Sequence, residues 1–334
     1  MRKYSAGDEA CRLRCRSKKP LRKLVELTKI PFRLLLDWII VKRIKMKEMQ
    51  ADLKNRVAIV TGGTGGIGRE AARSLAAAGA EVVLVGRNRQ RTESAVNEIK
   101  TITGNQKVDF LIGDLSSRSD VSRVAEEFLA TKRPLNILLN NAGAIFPSYR
   151  ESVDGIEMTW ALNHLAYFQL TNLLLDRLKE SRPARIVSVA SAAHYGVKGI
   201  NWDNPEFRGN YSAYKAYGQS KLANILFTRE LARRLRGTGV TANSLHPGFV
   251  ATSFGHASRL YNAVMVFARP FQRSVEKGAK TSIYLCTSPE VETVSGEYFV
   301  DSRIAECSQY ARDDEAARRL WEISEKMVGV GQLA

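Results

Sequence analysis

Two residues suited to proton transfer lie one helical turn apart in this chain of 334 residues. Tyr217 and Lys221 fall on the same face of a helix predicted over residues 212–236. A cation beside a phenol favours its ionised form, so the spacing predicts a lowered pKa for Tyr217 and a role as general acid/base. Tyr211 and Lys215 have the same spacing, and the residue types alone do not choose between the two pairs.

Further polar and small residues follow predicted strands or lie in the helix before one. Ser191 follows a strand, and its hydroxyl can hold a carbonyl or hydroxyl oxygen of a substrate. Asn163 lies in a long helix predicted over residues 158–178, where it can anchor a water that links Lys221 to solvent. The segment Asn140–Gly143 closes another strand with small residues. Because open parallel sheets bind ligands at the carboxyl ends of their strands, we expect these residues to share one crevice.

A glycine-rich turn follows the first predicted strand and precedes the first predicted helix, over residues 61–68. Gly62 permits a tight turn, Gly66 lets the backbone approach a pyrophosphate, and Gly68 allows the helix to pack closely on the strand. In this position between strand and helix, the turn predicts a dinucleotide-binding site.

The end of the second strand bears on which dinucleotide binds. NAD sites carry a carboxylate there for the ribose 2′-OH, whereas this chain has Arg87 and no acidic residue until Glu93. A guanidinium can bind a 2′-phosphate through charge-assisted hydrogen bonds. The sequence therefore predicts NADP(H) as the cofactor.

Apolar runs that alternate with helical segments predict the elements that position these residues. A short strand is expected in each of seven places: 56–61, 81–86, 108–112, 135–140, 185–190, 240–245 and 297–300. The alternation predicts an α/β fold, a single Rossmann-type doubly wound parallel sheet. We expect this domain over residues 55–300, an N-terminal basic amphipathic extension over 1–54, and a C-terminal tail over 301–334. A helix near 313–328 should pack that tail on the domain.

Composition and charge narrow the function classes. The chain is 44% hydrophobic, which suits a globular core, and it has 4 cysteines, too few to serve as a disulfide framework. No run of 18 consecutive apolar residues occurs, which argues against an ordinary membrane-spanning helix. The net charge is +17, and residues 1–54 supply 16 basic against 6 acidic residues.

The extension contains a short apolar run between basic clusters. Residues 32–41 are mostly aliphatic or aromatic, too few to span a bilayer, and lysines and arginines flank them. This pattern predicts contact between residues 21–47 and an anionic membrane surface, at the cytosolic face of the endoplasmic reticulum or a lipid droplet. A solvated tail on a cytoplasmic protein is the alternative. Nucleic acid is not expected, because the extension lacks zinc-ligand spacing, RNP-like aromatics and a helix-turn-helix pattern.

The histidines do not suggest other chemistry. His194 lies near Ser191, but no Gly-x-Ser-x-Gly elbow surrounds that serine, so we expect a structural role for His194 and not a hydrolase triad. His164 and His246 have no partners at metal-ligand spacing, and no metal is predicted.

Together these segments resemble the short-chain dehydrogenase/reductase family over about residues 55–300, and within it the retinol-dehydrogenase and WW-domain-oxidoreductase branch. The resemblance is carried by Thr61, Gly62, Gly66, Gly68, Asp114, Leu115, Asn140–Gly143, Asn163, Ser191, Tyr217, Lys221, Pro247, Gly248 and Thr252. It aligns Tyr217, and not Tyr211, with the catalytic tyrosine of the branch.

The resemblance implies a role for each matching residue. Tyr217 would be the general acid/base, Lys221 would lower its pKa and hold the nicotinamide ribose, and Ser191 would orient the reacting oxygen. Asn163 would support the proton relay. The implied cofactor-binding residues are Thr61, Gly62, Thr64, Gly66, Ile67, Gly68, Arg87, Asp114 (at the adenine), Leu115, Asn141, Ala142, Gly143, Tyr217, Lys221, Pro247, Gly248, Val250 and Thr252 (near the carboxamide).

The branch also implies a substrate class and a mode of assembly. Apolar residues are frequent between Gly248 and Gly278, the region that covers the substrate in this family. A lipophilic alcohol and its aldehyde or ketone are expected: a retinoid, a polyprenoid, a fatty aldehyde or a steroid. Family members often form homodimers through helices equivalent to 159–180 and 212–236. A catalytically silent NADP-binding scaffold that acts through membrane or protein partners is the alternative.

Overall fold

The computed structural model describes residues 52–250 and 273–329. The predicted membrane-contacting segment over 21–47 and Thr252 lie outside the described residues. The described strands form one sheet in the order β3-β2-β1-β4-β5-β6-β7-β8. They are β1 (Val57–Thr61), β2 (Glu81–Gly86), β3 (Val108–Ile112), β4 (Ile137–Asn140), β5 (Ala184–Val189), β6 (Val240–His246), β7 (Tyr298–Val300) and β8 (Arg303–Ile304).

All neighbouring strands from β3 to β7 pair in parallel, and β8 pairs antiparallel with β7. Strands β1 and β4 are buried along their whole length, as expected for a parallel sheet with helices on both faces. The predicted fold class is therefore confirmed. The chain winds outward in opposite directions from β1 and β4, so the carboxyl ends of these strands form the crevice where such sheets bind ligands.

Helices cover both faces of the sheet. In the described residues they are α1 (Gly66–Ala77), α2 (Arg89–Thr103), α3 (Arg118–Ala130), α4 (Met158–Trp160), α5 (Ala166–Leu173), α6 (Leu175–Glu180), α7 (Ala213–Arg234), α8 (Val275–Thr287) and α9 (Asp314–Val328). Apart from the three-residue α4, which Glu157 caps, five of them begin at a residue whose side chain accepts a backbone N–H of the first turn, which fixes where each helix starts. These caps are Asn88, Ser117, Ser212, Ser274 and Asp313.

The helix predicted over residues 158–178 is not continuous. After α4 the chain forms a π-helical turn over Ala161–Leu165, and α5 and α6 are separated at Leu174, where φ is −98° and ψ is 1°. A π turn places one extra residue in the helix and rotates the side chains that follow it. Helix α8 and strand β8 were not among the predicted elements.

Helix α9 packs across α7. The indole ring of Trp321 stacks on Phe227 with ring centroids 5.8 Å apart and meets Phe168 edge-on at 4.8 Å. Every residue of α7 from Gly218 to Thr228 is buried. Dimerisation through α7 stays a prediction. The middle turns of this helix are already buried within a single protomer.

Candidate active site

The turn after β1 depends on the absence of side chains. Gly62 and Gly66 have φ values of +66° and +52°, in the left-handed region that favours glycine. A Cβ carbon on Gly68 would lie 2.4 Å from the carbonyl oxygen of Gly62 and 2.4 Å from the amide nitrogen of the Asn141 side chain. The start of α1 therefore packs directly on the turn and on the end of β4.

Thr61 and Asn141 join the ends of β1 and β4. The Thr61 hydroxyl oxygen accepts the backbone N–H groups of Asn141 at 2.8 Å and of Ala142 at 3.0 Å. The Asn141 side-chain amide donates to the Thr61 carbonyl at 2.9 Å. Thr61 is buried, so the structure places this predicted cofactor residue behind the turn, where it holds the two strand ends together.

A cavity of about 740 Å³ opens between these strand ends, within the usual size of small-molecule sites. Most of the predicted site residues line it. They are Gly62, Thr64, Gly66, Ile67, Gly68, Asn141, Ala142, Gly143, Ser191, Tyr217, Lys221, Pro247, Gly248 and Val250.

Arg87, Asp114 and Leu115 lie away from this cavity, at the ends of β2 and β3. The Arg87 guanidinium is 3.6 Å from the Asp114 carboxylate and its side chain is 78% exposed, so it is accessible to a ligand. The carboxylate of Asp114 accepts the backbone N–H of Ser116 at 3.0 Å and its hydroxyl at 2.7 Å. Leu115 is buried in the hydrophobic core.

Lys221 is the most unusual ionisable group of the site. It is 1% exposed, and its ammonium donates a hydrogen bond to the carbonyl of Val189 at 3.0 Å. The nitrogen lies 5.6 Å from the ring centroid of Tyr217 and 5.7 Å from that of Tyr167. Burial disfavours the charged form and lowers the pKa of Lys221 to about 7.

Asn163 lies in the π turn and faces the strand end after β4. Its side chain exchanges two hydrogen bonds with the backbone of Ala144, both at 2.9 Å, and donates a third to the hydroxyl of Ser220 at 3.1 Å. A Cβ carbon on Gly143 would lie 3.1 Å from the Asn163 carbonyl oxygen and 3.3 Å from the Lys221 nitrogen. The structure thus places Asn163 behind the cavity wall, close to Lys221 and away from the cavity itself.

Ser191 caps the short 3-10 helix Ala192–Gly196, and its hydroxyl oxygen accepts the N–H of Ala193 at 3.2 Å. His194 stabilises this turn through two hydrogen bonds. Its Nε2 accepts the backbone N–H of Ser308 at 3.1 Å, so Nδ1 carries the proton and donates to the Ser191 carbonyl at 2.7 Å. Burial lowers the pKa of His194, and this neutral ring ties the turn to the C-terminal segment. The expected structural role of His194 agrees with these contacts.

His246, at the end of β6, lines the cavity and was weighed in the sequence only as a metal ligand. Its Nδ1 accepts the backbone N–H of Ala192 at 3.2 Å, which links β6 to the Ser191 turn. Burial, reinforced by the positive charge of Arg273, lowers the pKa of His246 to about 4. Its position immediately before Pro247 in a predicted cofactor loop is the signal that would have marked it as a site residue.

Tyr211 is directed away from Lys221. Its hydroxyl donates to the carbonyl of Phe146 at 2.9 Å and lies 3.1 Å from the hydroxyl of Thr159. Burial raises the pKa of Tyr211 to about 12, which suits a structural hydroxyl and not an acid/base near neutral pH. Of the two tyrosines with a lysine four positions later, the structure brings only Tyr217 to the cavity among the described residues.

The fold and the cavity at the carboxyl ends of its strands are those of an α/β protein with a small-molecule site. Residues 56–262 match the family model described as short chain dehydrogenase, and the chain belongs to that family. It is 42% identical to retinol dehydrogenase 12 of Mus musculus over 278 residues, which cover 83% of this chain and 88% of that protein.

Solved structures share the fold. A crystal structure of an uncharacterized protein from Mycobacterium paratuberculosis is 31% identical, with a TM-score of 0.69 over 84% of this chain and 95% of that one. A short chain dehydrogenase from Burkholderia cenocepacia in complex with NADP is 25% identical, with a TM-score of 0.59 over 74% and 96%.

The residues present fit the nicotinamide cofactor that the family implies. The glycine turn and Gly143, which bring backbone without side chains to the cavity, line it together with Ser191, Tyr217 and Lys221. Among residues 52–250 and 273–329, no cluster of acidic, His and Cys side chains suits a metal ion. Within the same residues, no helix has the length and apolar character needed to cross a membrane.

Proposed function

We propose that this protein is an NADP(H)-dependent oxidoreductase that interconverts a lipophilic alcohol and its aldehyde or ketone. The observation that carries the proposal is the position of Ser191, Tyr217 and Lys221 on the wall of one cavity that also contains the glycine turn. NADP(H), when bound, supplies or accepts the hydride. The protein's own residues move the proton and hold the reacting oxygen.

In the reducing direction, the Tyr217 hydroxyl donates its proton to the carbonyl oxygen of the substrate as that oxygen gains negative charge. The Ser191 hydroxyl donates a hydrogen bond to the same oxygen and orients it. In the oxidising direction, the Tyr217 phenolate accepts the proton of the alcohol. The Lys221 ammonium, 5.6 Å from the ring, stabilises the phenolate in both directions by its charge.

Arg87 supports the preference for NADP(H). It directly follows β2, no carboxylate occupies that position, and its exposed guanidinium is free to meet a 2′-phosphate in addition to its contact with Asp114. Asp114 would lie beside the adenine. The similar protein from Burkholderia cenocepacia was solved in complex with NADP.

The lining of the cavity supports a lipophilic substrate. Tyr214 and Phe249 line it and are 59% and 46% exposed, and Ile145 contributes further apolar surface. Apolar side chains provide most of the affinity in such pockets. The name of the Mus musculus relative points to retinoids as the first compounds to test; polyprenoid and fatty aldehydes and steroids follow.

The decisive assay follows oxidation of NADPH against a panel of retinal, fatty aldehydes, polyprenoid aldehydes and steroid ketones. Turnover of at least one lipophilic carbonyl by the wild type and its loss in Tyr217→Phe is the expected result. Cofactor binding without turnover of any of them would favour the alternative, a catalytically silent scaffold.

We further propose that residues 21–47 bind the surface of an intracellular membrane, which would bring the enzyme to substrates dissolved in lipid. The support is the sequence pattern of a short apolar run between basic clusters. Flotation with vesicles that contain anionic lipid should recover the full chain but not a chain that lacks residues 1–50. Equal flotation of both would contradict the proposal.

A further inference from the structure

A histidine that the proposed reaction does not use lies directly after Asn163, in the π turn. The ring of His164 is fully buried between Trp160, 4.6 Å away, and Phe227, 6.4 Å away. Its Nε2 lies 2.8 Å from the hydroxyl of Ser324, on the C-terminal helix α9. A buried polar ring among aromatic side chains is costly unless both of its nitrogens are satisfied.

The second ring nitrogen has a candidate partner on the catalytic helix. His164 Nδ1 and Asn224 Oδ1 are both buried, and neither makes a hydrogen bond of ordinary geometry to a described residue. Asn224 lies close enough to His164 for its side chain to raise the pKa of the ring, although burial dominates and lowers that pKa to about 3. In the tautomer with the proton on Nδ1, the ring is poised to donate to Asn224 Oδ1. Nε2 then accepts the single hydroxyl proton of Ser324, whose oxygen also lies 2.8 Å from the Leu320 carbonyl.

Asn224 in turn contacts the group that holds the catalytic lysine. Its side-chain amide donates to the Val189 carbonyl at 3.3 Å, and the same carbonyl accepts the Lys221 ammonium at 3.0 Å. Val189 is the last residue of β5, two residues before Ser191. Through this shared carbonyl, the polar contacts of α9 reach the nitrogen beside the Tyr217 ring.

We propose that Ser324, His164 and Asn224 form a buried hydrogen-bonded bridge through which helix α9 positions the Val189 carbonyl and, with it, Lys221. The proposal rests on the proposed function, because it treats Lys221 as a catalytic group. Ser324, His164 and Asn224 are positioning residues. Since the ring stays neutral throughout the physiological range, the bridge has the same hydrogen bonds at every working pH.

The test compares two variants that break the bridge. Ser324→Ala removes the hydroxyl on α9, and His164→Phe keeps a ring between the aromatic neighbours but removes both nitrogens. Each should lower kcat about threefold to tenfold, with KM values for NADPH and the carbonyl substrate within about twofold of wild type. The double variant should lose no more than the larger single effect, because both changes break one connection. Ser324→Thr, which retains the hydroxyl, should recover most of kcat.

Ser282→Ala is the matched control. Ser282 is a fully buried helical serine on α8 whose hydroxyl has no hydrogen-bond partner among the described residues. Its removal should leave kcat unchanged. The melting temperature of Ser324→Ala shows whether this variant is folded. If it is folded and has the kcat of the wild type, the proposed bridge is overturned. This comparison remains available even if His164→Phe fails to fold.

Failure of the proposed function is distinguishable from failure of the bridge. If the wild type turns over no carbonyl in the panel, the proposed function fails. Hydrogen exchange of the backbone amides then tests whether the bridge exists. Peptides that contain Val189 should then exchange faster in Ser324→Ala than in the wild type and in Ser282→Ala. Equal exchange in all three proteins would overturn the bridge.

Discussion

The ammonium nitrogen of Lys221 lies 5.6 Å from the ring centroid of Tyr217, and the backbone carbonyl of Val189 holds it there. The lysine is buried, and burial alone lowers its pKa to about 7. Keeping a cation buried beside the phenol therefore lowers the free energy of unfolding. Ionisable groups whose pKa is shifted by burial are typical of functional sites.

Tyr217→Phe should lower kcat by about 100-fold or more, because it removes the general acid/base and leaves the cavity walls in place. Tyr211→Phe is the matched control, since Tyr211 has the same lysine spacing but donates to the carbonyl of Phe146. It should lower the melting temperature while kcat stays within about threefold of wild type. Steady-state kinetics of both variants with one substrate check this, and equal losses would contradict the assignment of Tyr217.

Lys221→Met should abolish turnover and yet stabilise the folded protein. The unfolded chain keeps the ordinary lysine pKa of 10.5, whereas the folded value is about 7, so the native state carries the full cost of the buried charge below pH 7. Between these values the unfolded state binds more protons, and the cost fades as pH rises. Denaturant titrations should show a gain of at least about 1 kcal/mol at pH 6 that shrinks towards pH 10. A gain independent of pH would argue against a lowered lysine pKa.

Gly68→Ala should destabilise the fold, because its Cβ carbon would lie 2.4 Å from the Gly62 carbonyl oxygen and from the Asn141 side chain. Overpacking of this kind costs about 1–3 kcal/mol. Gly65→Ala is the control within the same turn, since a Cβ carbon there meets no atom within 4 Å. Its effect on the free energy of unfolding should stay within about 0.5 kcal/mol. Thermal unfolding of the two variants without cofactor makes the comparison, and similar losses would contradict the steric argument.

Arg87→Ala should lower kcat/KM with NADPH by about tenfold to 100-fold and leave kcat/KM with NADH nearly unchanged, because NADH has no 2′-phosphate for the guanidinium to bind. Arg89→Ala provides the control. Arg89 is also exposed, but it contacts Glu93 at 3.4 Å and lies over the ring of Phe110. It should alter neither value by more than about threefold. A parallel loss with both cofactors in Arg87→Ala would contradict a 2′-phosphate site.

The regular elements are largely predictable from local sequence. The apolar runs over 81–86 and 108–112 coincide with β2 and β3. Strand β2 is buried after its first residue, as expected for a strand covered on both faces, whereas β3 lies at the edge of the sheet and is exposed or half-buried after Val108. The helix predicted over 158–178 shows a feature that local sequence does not predict. Its apolar pattern does not reveal the π turn at Ala161–Leu165, which depends on how Asn163 and His164 meet distant partners.

By itself, the sequence determined the alternation of strands and helices, the glycine turn that suits a dinucleotide, and the set of residue types able to transfer a proton. These features follow from local steric and hydrophobic preferences, which a short window of residues contains. The tertiary structure alone decided that Thr61 stands behind the turn and that Ser324 lies against His164. It also brings Tyr217, the tyrosine that the family resemblance had selected, to the cavity with Lys221. Burial and hydrogen bonding between groups as far apart as 160 positions arise only when the chain is packed, so no local pattern encodes them.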